Sequence, residues 1–507
     1  MKYGVAAGTL IVVFWLQMVL ALPKLSPTGD EVAHLPAGYT YWTTRDFRLN
    51  PEHPPLAKLI AAFPLLFLKP KADLNSHDWQ AADQAVFGYR FVYTNDADRL
   101  FFWGRLAITL IATLGAVIVF LWARDMFGPA AGLFALGLYA FSPNLLAHGM
   151  LVTTDVPVAV FATLAMYLYW KAGLKGNLAV GAAAGAAMAS KFSAAVLPPI
   201  LIGFAVWQVY RAGDRRKQAL EELRGLVLAG IGCILAIEAA YLFAVPPWTY
   251  FTNMRYVNAN HNPIRMFYLF GNFSRTGWWY YFPLAFAVKA TVPLLLTTVL
   301  AVIHLIAKRF IEPFGERVLL ITALSFFMIV TIGADDMGVR YLLPVFVLLF
   351  IWGSRIVVEL KNKTAGIALL ALLLGWQARA AIGAFPNYIP YFNEIAGGAA
   401  AGLEYLDDSN VDWGQGMKQA AEYIRTHRLG AVELLPFSML DNPGYYGIQR
   451  PQRNDLDTYQ VMIARDRHPG IYIVSSHHLI RVMRVLPEWD PRNAIDRIGD
   501  SLWVYRF

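Results

Sequence analysis

The chain has 507 residues, of which 57% are hydrophobic and only 15% are charged. This composition excludes an ordinary water-soluble protein and indicates an integral membrane protein that also has sizeable water-exposed parts. We assign the net charge of +8 to loops on the cytoplasmic side of a membrane rather than to nucleic-acid binding. Because Cys233 is the single cysteine, an intrachain disulfide and a cysteine-based metal site are both excluded.

Apolar stretches long enough to cross a bilayer core of about 30 Å recur along the whole chain. Lys191 interrupts one such stretch, and reading it as two spans rather than one decides the orientation of everything downstream. We take it as two, which gives a polytopic, mainly α-helical protein. The predicted spans are about eleven: 4–22, 101–123, 128–147, 151–170, 177–190, 192–210, 223–245, 279–306, 317–333, 338–356 and 364–383.

The distribution of cations supports this count and predicts an orientation. With eleven spans and a cytoplasmic N-terminus, inside loops such as 211–217 are rich in Lys and Arg, whereas the outside loop 144–154 contains neither. This is the positive-inside pattern. It predicts a membrane domain over 1–383 with outer loops at 23–100 and 246–278, and a water-exposed external domain over 384–507.

The tail 384–507 is long enough for a small domain of its own. Residues 415–428 have helical periodicity, and 431–436, 471–475 and 501–507 have the composition of short strands. We therefore predict a small C-terminal α/β domain on the outer face.

An acidic pair, Asp30 and Glu31, follows the first span within a few residues. Taken alone, such a pair is more typical of the charges that cluster at span ends than of a catalytic site. The segment 49–58, LNPEHPPLAK, then runs into the apolar stretch 59–68, which is too short to span and is predicted to lie at the interface as a helix. Glu52, His53 and Lys58 would thus lie near the same membrane surface as the acidic pair, although a plain amphipathic connector has the same composition.

These first-loop motifs resemble glycosyltransferase family 39, the protein O-mannosyltransferases of the GT-C superfamily. In that family an acidic pair after the first span also precedes a run similar to His53-Pro-Pro-Leu-Ala-Lys58. Glu52-His-Pro-Pro is likewise similar to the Glu-Lys-Pro motif of the bacterial lipid A aminoarabinose transferases, which belong to the same superfamily. Further stretches that resemble these families are Arg105, 150–155, 189–192, 278–283, 338–344 and 408–415.

The resemblance implies a GT-C fold and an inverting glycosyltransferase. Such an enzyme moves a single sugar from a polyprenyl-phosphate donor to an acceptor hydroxyl on the outer face of a bacterial inner membrane. The acceptor stays open between protein, lipid and glycan. Two other functions also stay open: a transporter or flippase for a lipid-linked sugar, and an oligosaccharyltransferase or ligase. The sequence shows no inverted repeat of the kind that many transporters have.

The resemblance also implies roles for individual residues. Asp30 matches the catalytic aspartate of the first-loop motif and is the candidate base, with Glu31 orienting Asp30 or the acceptor. Arg105, Lys191 and Arg340 are candidate ligands of the donor phosphate, because developing phosphate charge calls for cations in a low-dielectric site. The alternative for these three cations is that they anchor span ends to the headgroups of membrane lipids.

Glu52, His53 and Asp155 are predicted to bind substrate, and they are also the candidate ligands of a divalent metal. No cofactor is required by the resemblance, since the aminoarabinose transferases use a metal near the glutamate of this motif and the protein mannosyltransferases do not need one. His53 stands where the former have lysine. Two further groups suit sugar or acceptor contacts: His261, Asn262, Arg265 and Arg275 in the outer loop, and Asp407, Asp408, Asp412 and Trp413 in the tail.

Overall fold

The computed structural model describes residues 2–173, 178–259, 266–450 and 467–507, and it is mainly helical. Its α-helices, in chain order, are α1 Lys2–Ala21, α2 Gly29–Thr44, α3 Leu56–Ala62, α4 Leu65–Leu68, α5 His77–Gln80, α6 Gln84–Tyr93, α7 Ala97–Phe127, α8 Pro129–Ala140, α9 Pro143–Gly149, α10 Asp155–Ala172, α11 Leu178–Ser190, α12 Leu197–Arg211, α13 Arg215–Ala240, α14 Thr249–Ala259, α15 Tyr281–Lys289, α16 Val292–Lys308, α17 Pro313–Gly333, α18 Leu343–Gly353, α19 Ile356–Leu360, α20 Thr364–Ala384, α21 Gly402–Tyr405, α22 Met417–Thr426 and α23 Ser476–Val482. The strands are β1 Phe267–Leu269, β2 Asn272–Ser274, β3 Glu433–Leu435, β4 Ile471–Ser475, β5 Asp496–Ile498 and β6 Leu502–Arg506.

Within the described residues, seven helical stretches are long and apolar enough to cross a membrane. Large apolar side chains on their outer faces are left exposed by the protein itself, as at Val206 in α12 and Ile332 in α17. Such residues suit contact with lipid tails, so the chain is a multi-pass membrane protein. The seven stretches are Lys2–Lys24, Ala97–Phe127, Phe192–Arg211, Arg215–Ala240, Pro313–Gly333, Val339–Leu360 and Thr364–Ala384.

Two more predicted spans are bent helix pairs. Helices α8 and α9 meet at 64°, and α15 and α16 meet at 112°. A bend frees backbone carbonyls that must find other donors inside a membrane protein. At the sharper bend Asn393 supplies them, because its side-chain amide donates to the carbonyls of Ala287 at 2.6 Å and Ala290 at 2.8 Å.

The last two predicted spans correspond to α10 and α11, which are shorter or less apolar than the others. Helix α11 has only 13 residues and packs very closely on α13. A Cβ at Gly181 would lie 1.8 Å from the carbonyl oxygen of Ala229, so only glycine permits this approach. Each of the roughly eleven predicted spans therefore corresponds to a helix or to a bent helix pair in the structure. Among the described residues, seven to nine of these spans have the length and composition of a full membrane crossing.

The first predicted outer loop is largely helical. The 3-10 helix Leu22–Lys24 ends α1, and α2 begins at Gly29 after the cap residue Thr28. Helix α2 is not among the predicted elements, whereas the helix predicted over 59–68 is present as α3 and α4. Helices α2 and α3 are in contact at Gly38. A Cβ at this position would lie 2.1 Å from the carbonyl oxygen of Lys58, so a larger residue would not fit there.

The tail has two parts. Residues 385–416 lie across one end of the helix bundle, where the Lys289 ammonium donates to the carbonyls of Ile389 at 2.8 Å and Asn410 at 2.6 Å. The described residues from 417 onward form the predicted α/β module, a four-stranded sheet in the order β3-β4-β6-β5 packed with α22 and α23. Strand β3 is parallel to β4, whereas β4 with β6 and β5 with β6 are antiparallel. Strand β5 was not predicted from the sequence.

The three pieces predicted to face outward meet at the same end of the bundle. Tyr93 of the first loop donates to the carbonyl of Leu440 in the tail at 3.3 Å. The hairpin β1–β2 contacts the tail through a 3.1 Å hydrogen bond from the amide of Phe270 to the carbonyl of Tyr405. These contacts enclose a cavity between the membrane helices and the tail.

Candidate active site

The cavity has a volume of about 630 Å³ and is lined by polar and aromatic residues. It lies between α2, the loop before α3, the hairpin β1–β2, the 3-10 helix Val339–Leu342 and the tail. Its charged or titratable residues are Asp30, His34, Glu52, His53, Asp336, Arg340, Asp407, Asp408, His477 and Arg481. Its aromatic residues are Phe267, Tyr268, Trp413 and Phe437.

Asp30 lies in the first turn of α2, and its side chain is about one third exposed to the cavity. Nη1 of Arg340 donates to its Oδ2 at 3.0 Å. The same Nη1 lies 3.3 Å from Oδ2 of Asp155, so Arg340 joins two carboxylates that come from different helices. The Arg340 guanidinium also stacks over the ring of Trp413, 4.2 Å from its centroid, which is a cation–π contact.

Behind this pair, Asp155 is buried at the start of α10 and binds Nζ of Lys191 at 2.5 Å. Lys191 follows α11 and lies 3.9 Å from the centroid of the Tyr341 ring. The sequence-predicted residues Asp30, Arg340, Asp155 and Lys191 thus form one continuous chain of opposite charges. Asp30 and Arg340 line the cavity, whereas Asp155 and Lys191 form the layer behind it.

Glu31 and Arg105 are placed differently from the prediction. They form a buried two-point pair, Nε to Oε1 at 2.8 Å and Nη2 to Oε2 at 2.5 Å, and neither lines the cavity. Glu31 also accepts from the amides of Thr28 at 2.9 Å and Val152 at 2.8 Å. Burial alone would raise the pKa of Glu31, but the Arg105 guanidinium and these hydrogen bonds outweigh it and lower that pKa.

Glu52 and His53 line the cavity, as the prediction of a substrate-binding role requires. Glu52 is exposed and accepts a 3.3 Å hydrogen bond from Gln84. Lys58 does not reach the cavity, because its buried ammonium donates to the carbonyl oxygens of Asn50 and His53, each at 2.8 Å. Lys58 therefore fixes the turn that presents Glu52 and His53.

The candidate metal ligands differ from the predicted set. Among the described residues, the His, Cys, Asp and Glu side chains that could share one ion are Asp30, His34 and His53, whose ligand atoms all lie within 4.8 Å of one another. Of the predicted ligands, only His53 is in this group. Burial lowers the pKa of both His34 and His53, so both imidazoles favour the neutral form that binds metal.

The tail supplies the opposite wall of the cavity. The Asp407 carboxylate lies between His477 and Arg481. Its Oδ1 is 3.0 Å from Nδ1 of His477, and its Oδ2 accepts from Nη1 of Arg481 at 2.9 Å. Burial would raise the pKa of Asp407, but these two cations lower it to about 2. Burial would lower the pKa of His477, but the Asp407 carboxylate raises it. His477 and Arg481 were not predicted, because they follow a strand 70 residues downstream and belong to no motif.

The other predicted contact residues are divided. Asp408 and Trp413 line the cavity, whereas Asp412 is buried against Ser475 inside the tail module. Arg275 is exposed and outside the cavity wall, and His261, Asn262 and Arg265 lie outside the described residues. Asp336, another cavity residue that the prediction missed, accepts from the amide of Trp278 at 2.6 Å, and burial raises its pKa to about 6.

A sequence model of the family described as dolichyl-phosphate-mannose-protein mannosyltransferase matches residues 98–237 of the chain. No curated protein sequence matches it. Among solved structures, ArnT from Cupriavidus metallidurans bound to undecaprenyl phosphate is similar at a TM-score of 0.52 and 14% identity, over 99% of this chain and 97% of that chain. The apo form of the same ArnT gives a TM-score of 0.51 at 13% identity, with the same coverage. The oligosaccharyltransferase of Archaeoglobus fulgidus gives 0.44 at 13% identity, over 88% of this chain and 59% of that chain.

The fold is thus that of the GT-C superfamily, and the family match together with this fold supports a membrane glycosyltransferase. Within that class the chain resembles ArnT over nearly its whole length. A similarity at 13–14% identity shows the shared fold, but it does not show which sugar is moved or which acceptor receives it.

Proposed function

We propose that this protein is an inverting glycosyltransferase that moves a single sugar from a polyprenyl-phosphate donor to an acceptor hydroxyl. The observation that carries the proposal is the chain of charges from Asp30 through Arg340 and Asp155 to Lys191. A carboxylate and an arginine share one wall of a cavity at the end of the helix bundle. A lipid-bound donor and a water-exposed acceptor would meet at such a place. In this proposal the cavity and the tail face the outside of a bacterial inner membrane, and the N-terminus is cytoplasmic.

Asp30 acts as the base in the proposed reaction. Its carboxylate takes the proton from the acceptor hydroxyl as the acceptor oxygen attacks the anomeric carbon of the sugar. The bond between that carbon and the phosphate oxygen breaks, and the lipid phosphate leaves with the electron pair. A phosphate is a stable anion, so its departure needs no general acid. Attack from the face opposite the phosphate inverts the configuration at the anomeric carbon.

Arg340 stabilises the departing phosphate. It lines the cavity, and its Nε is buried without a hydrogen-bond partner among the described residues. A buried donor without a partner is costly, so a hydrogen bond from this N–H to an oxygen of the ligand is favourable. Lys191 lies behind Arg340 and adds a second positive charge, and its side chain is largely buried.

The tail of the donor is assigned to a second cavity, of about 350 Å³, between α11, α12 and α13. Its lining is almost entirely apolar and includes Met188, Leu201 and Tyr250. The residue after Lys191, Phe192, contacts the Tyr250 ring with centroids 5.2 Å apart. Phe192 therefore connects the charged layer behind the first cavity with an apolar surface suited to isoprene units.

Glu31 and Arg105 take a supporting role in this proposal instead of the substrate contact expected from the sequence. The hydrogen bonds of both side chains are internal to the protein, and the pair fixes the start of α2, which carries Asp30. Glu52 and His53 keep the proposed role in binding substrate, because they line the same wall as Asp30.

The test is a transfer assay with purified protein in proteoliposomes and a radiolabelled polyprenyl-phosphate sugar. We expect Asp30→Asn to lower turnover by about 10³-fold, because the amide cannot accept the proton, while donor binding persists. Asp73→Asn, which changes an exposed carboxylate of the same outer segment, is the matched control and should keep full activity. Near-normal turnover of Asp30→Asn would disprove the assignment of the base, and donor translocation without any transfer would favour the flippase.

A further inference from the structure

The end of the helix bundle opposite the cavity carries two arginines beside one tryptophan. Helix α12 follows Lys191 and ends at Arg211, whereas α17 begins just before Arg317 and leads toward Arg340, so both arginines lie at the far end from the cavity. Cζ of Arg211 is 5.0 Å from the ring centroid of Trp207, and Cζ of Arg317 is 5.6 Å from the same centroid. Two membrane helices thus bring two guanidinium groups to one ring.

Aromatic packing holds both arginines in place. The half-buried Trp207 ring is stacked on Phe314 of α17, with centroids 5.8 Å apart and an interplanar angle of 2°. Cζ of Arg317 also lies 4.9 Å from the centroid of the Phe310 ring. A guanidinium that stacks on a ring keeps the N–H donors at its edge for an anion. The two groups are therefore oriented before any ligand arrives.

The positive charge of this pair is not neutralised by the protein. Within the described part of the chain, neither guanidinium forms an ion pair with a carboxylate. The carboxylates nearest in sequence have other partners: Asp214 caps α13, Glu312 accepts from Nε1 of Trp170 at 3.2 Å, and Glu316 pairs with Arg355 at 2.7 Å. Two neighbouring like charges repel each other, so an anion placed between them is favourable.

An apolar surface continues from the two arginines along the helices. Ile321, Leu324 and Met328 are exposed and follow Arg317 by four, seven and eleven residues, so they form a stripe on the same face of α17. On α12, a Cβ at Gly203, one turn before Trp207, would meet no atom within 4 Å, so the surface there is open. The anion that fits this place therefore has a long apolar part, which a free phosphate ion lacks.

We propose that this end of the bundle binds an anionic phospholipid, whose phosphate lies between Arg211 and Arg317 and whose acyl chain follows the apolar stripe of α17. Basic groups between membrane helices at the membrane surface recognise anionic headgroups in this way. A zwitterionic lipid fits less well, because its headgroup cation would be brought next to two arginines. The site lies at the opposite end of the bundle from the cavity, so it does not depend on the proposed transfer reaction.

The test measures binding of tritiated phosphatidylglycerol and, separately, tritiated phosphatidylcholine to the full chain, purified and delipidated in detergent. We expect saturable binding of phosphatidylglycerol that is at least about 10-fold tighter than that of phosphatidylcholine. The double variant Arg211→Gln/Arg317→Gln should lose this preference through weaker binding of phosphatidylglycerol. Arg216→Gln/Lys217→Gln is the matched control, because it removes two charges from exposed positions of the same end and leaves the Trp207 pair intact, so it should bind as the wild type does.

The comparison of the two lipids uses the wild type alone, so it decides the matter even where a variant fails to fold, and thermal unfolding checks the variants. Equal affinity of the wild type for both lipids would overturn the proposal. An equal loss in the two double variants would also overturn it, because the lipid would then respond to surface charge in general. Displacement of phosphatidylglycerol by inorganic phosphate would show a free-anion site instead. The assay contains no sugar donor, so its failure leaves the proposed transfer reaction untouched.

Discussion

Arg340 is the cation on which the proposed chemistry depends most. Its Nη1 spans Asp30 and Asp155, and its plane rests on Trp413. A lysine keeps the charge, but it has a single ammonium and no plane to stack or to present several donors at once. We expect Arg340→Lys to lower turnover by about 10²-fold, with a smaller change in donor affinity.

The measurement for Arg340 is steady-state kinetics in the same proteoliposomes. Arg425→Lys is the matched control, because Arg425 is an exposed arginine of the tail that pairs only locally with Glu422. Arg340→Gln should be more severe than Arg340→Lys, since it removes the charge. Equal turnover of wild type and Arg340→Gln would show that the phosphate is stabilised by another group.

Asp441 is a second residue whose chemistry is set by its surroundings. It lies in the loop that brings Phe437 and Leu440 to the cavity, and burial together with nearby Asp412 raises its pKa to about 8. The folded protein therefore keeps a proton that the unfolded chain releases near pH 4. Between about pH 4 and pH 8 the unfolded state binds fewer protons, so stability falls as the pH rises.

Asp441→Asn removes this titration while keeping an oxygen that can accept from the amide of Ser438, now bonded to Oδ2 at 3.0 Å. We expect the variant to match wild type near pH 4 and to be more stable at pH 8, by about 5 kcal/mol, because the pKa of Asp441 is raised from about 4 to about 8. Thermal unfolding of the detergent-purified protein at both pH values measures this difference. A difference that stays constant from pH 4 to pH 8 would contradict the assignment to Asp441.

At the scale of an element, the start of α2 shows how the site is built. Thr28 caps the helix, and Glu31 completes a capping box by accepting from the Thr28 amide. The same carboxylate binds Arg105 of α7 and the amide of Val152. One side chain thus fixes α2 to two other segments, and the neighbouring Asp30 faces the cavity, where it pairs with Arg340.

Glu31→Gln leaves the Arg105 guanidinium buried without a counter-charge. Breaking a buried ion pair by removing one partner costs about 3–5 kcal/mol. We expect a large fall in the midpoint of thermal unfolding, with donor affinity unchanged in the protein that remains folded. Glu422→Gln, at an exposed position of the tail, is the control. An unchanged midpoint together with weaker donor binding would restore the substrate contact that the sequence suggested for Glu31.

The elements differ in how far the sequence could predict them. The spans and three of the four tail strands are readable, because their apolar stretches or their composition are local signals. Helix α2 was missed although Thr28 and Glu31 form a capping box that can be read from the sequence, because Pro36 and Gly38 inside the helix interrupt its pattern. The sequence predicts α8–α9 and α15–α16 as two single spans without bends. The bends were missed because they depend on partners such as Asn393 that are distant in the chain.

At the scale of the whole molecule, the cavity combines pieces that are far apart in sequence. The motif residues Asp30, Glu52, His53 and Arg340 were predicted and are found together at the cavity. The tail wall with His477 and Arg481 could not be predicted, because it depends on how the module docks on the helix bundle. The sequence assigned Glu31 and Arg105 to substrate binding, but they pair with each other away from the cavity. A motif identifies an important residue without showing which way its side chain faces.

Asn410 joins the two halves of the cavity and therefore tests whether their docking matters for catalysis. Its buried side chain accepts from the amide of Val339, next to Arg340, at 3.0 Å and donates to the carbonyl of Asp407 at 2.8 Å. Asn410→Asp keeps the shape but sets an acceptor against that carbonyl, so the Arg340 loop and the Asp407 wall should shift apart. A misplacement of about 1 Å can cost on the order of 10²-fold in rate, so we expect kcat to fall by about 10-fold to 10²-fold, with a loss of about 1–3 kcal/mol in stability. The exposed Asn493→Asp is the control, and an Asn410→Asp protein that loses stability but keeps full kcat would show that docking holds the fold without positioning the chemistry.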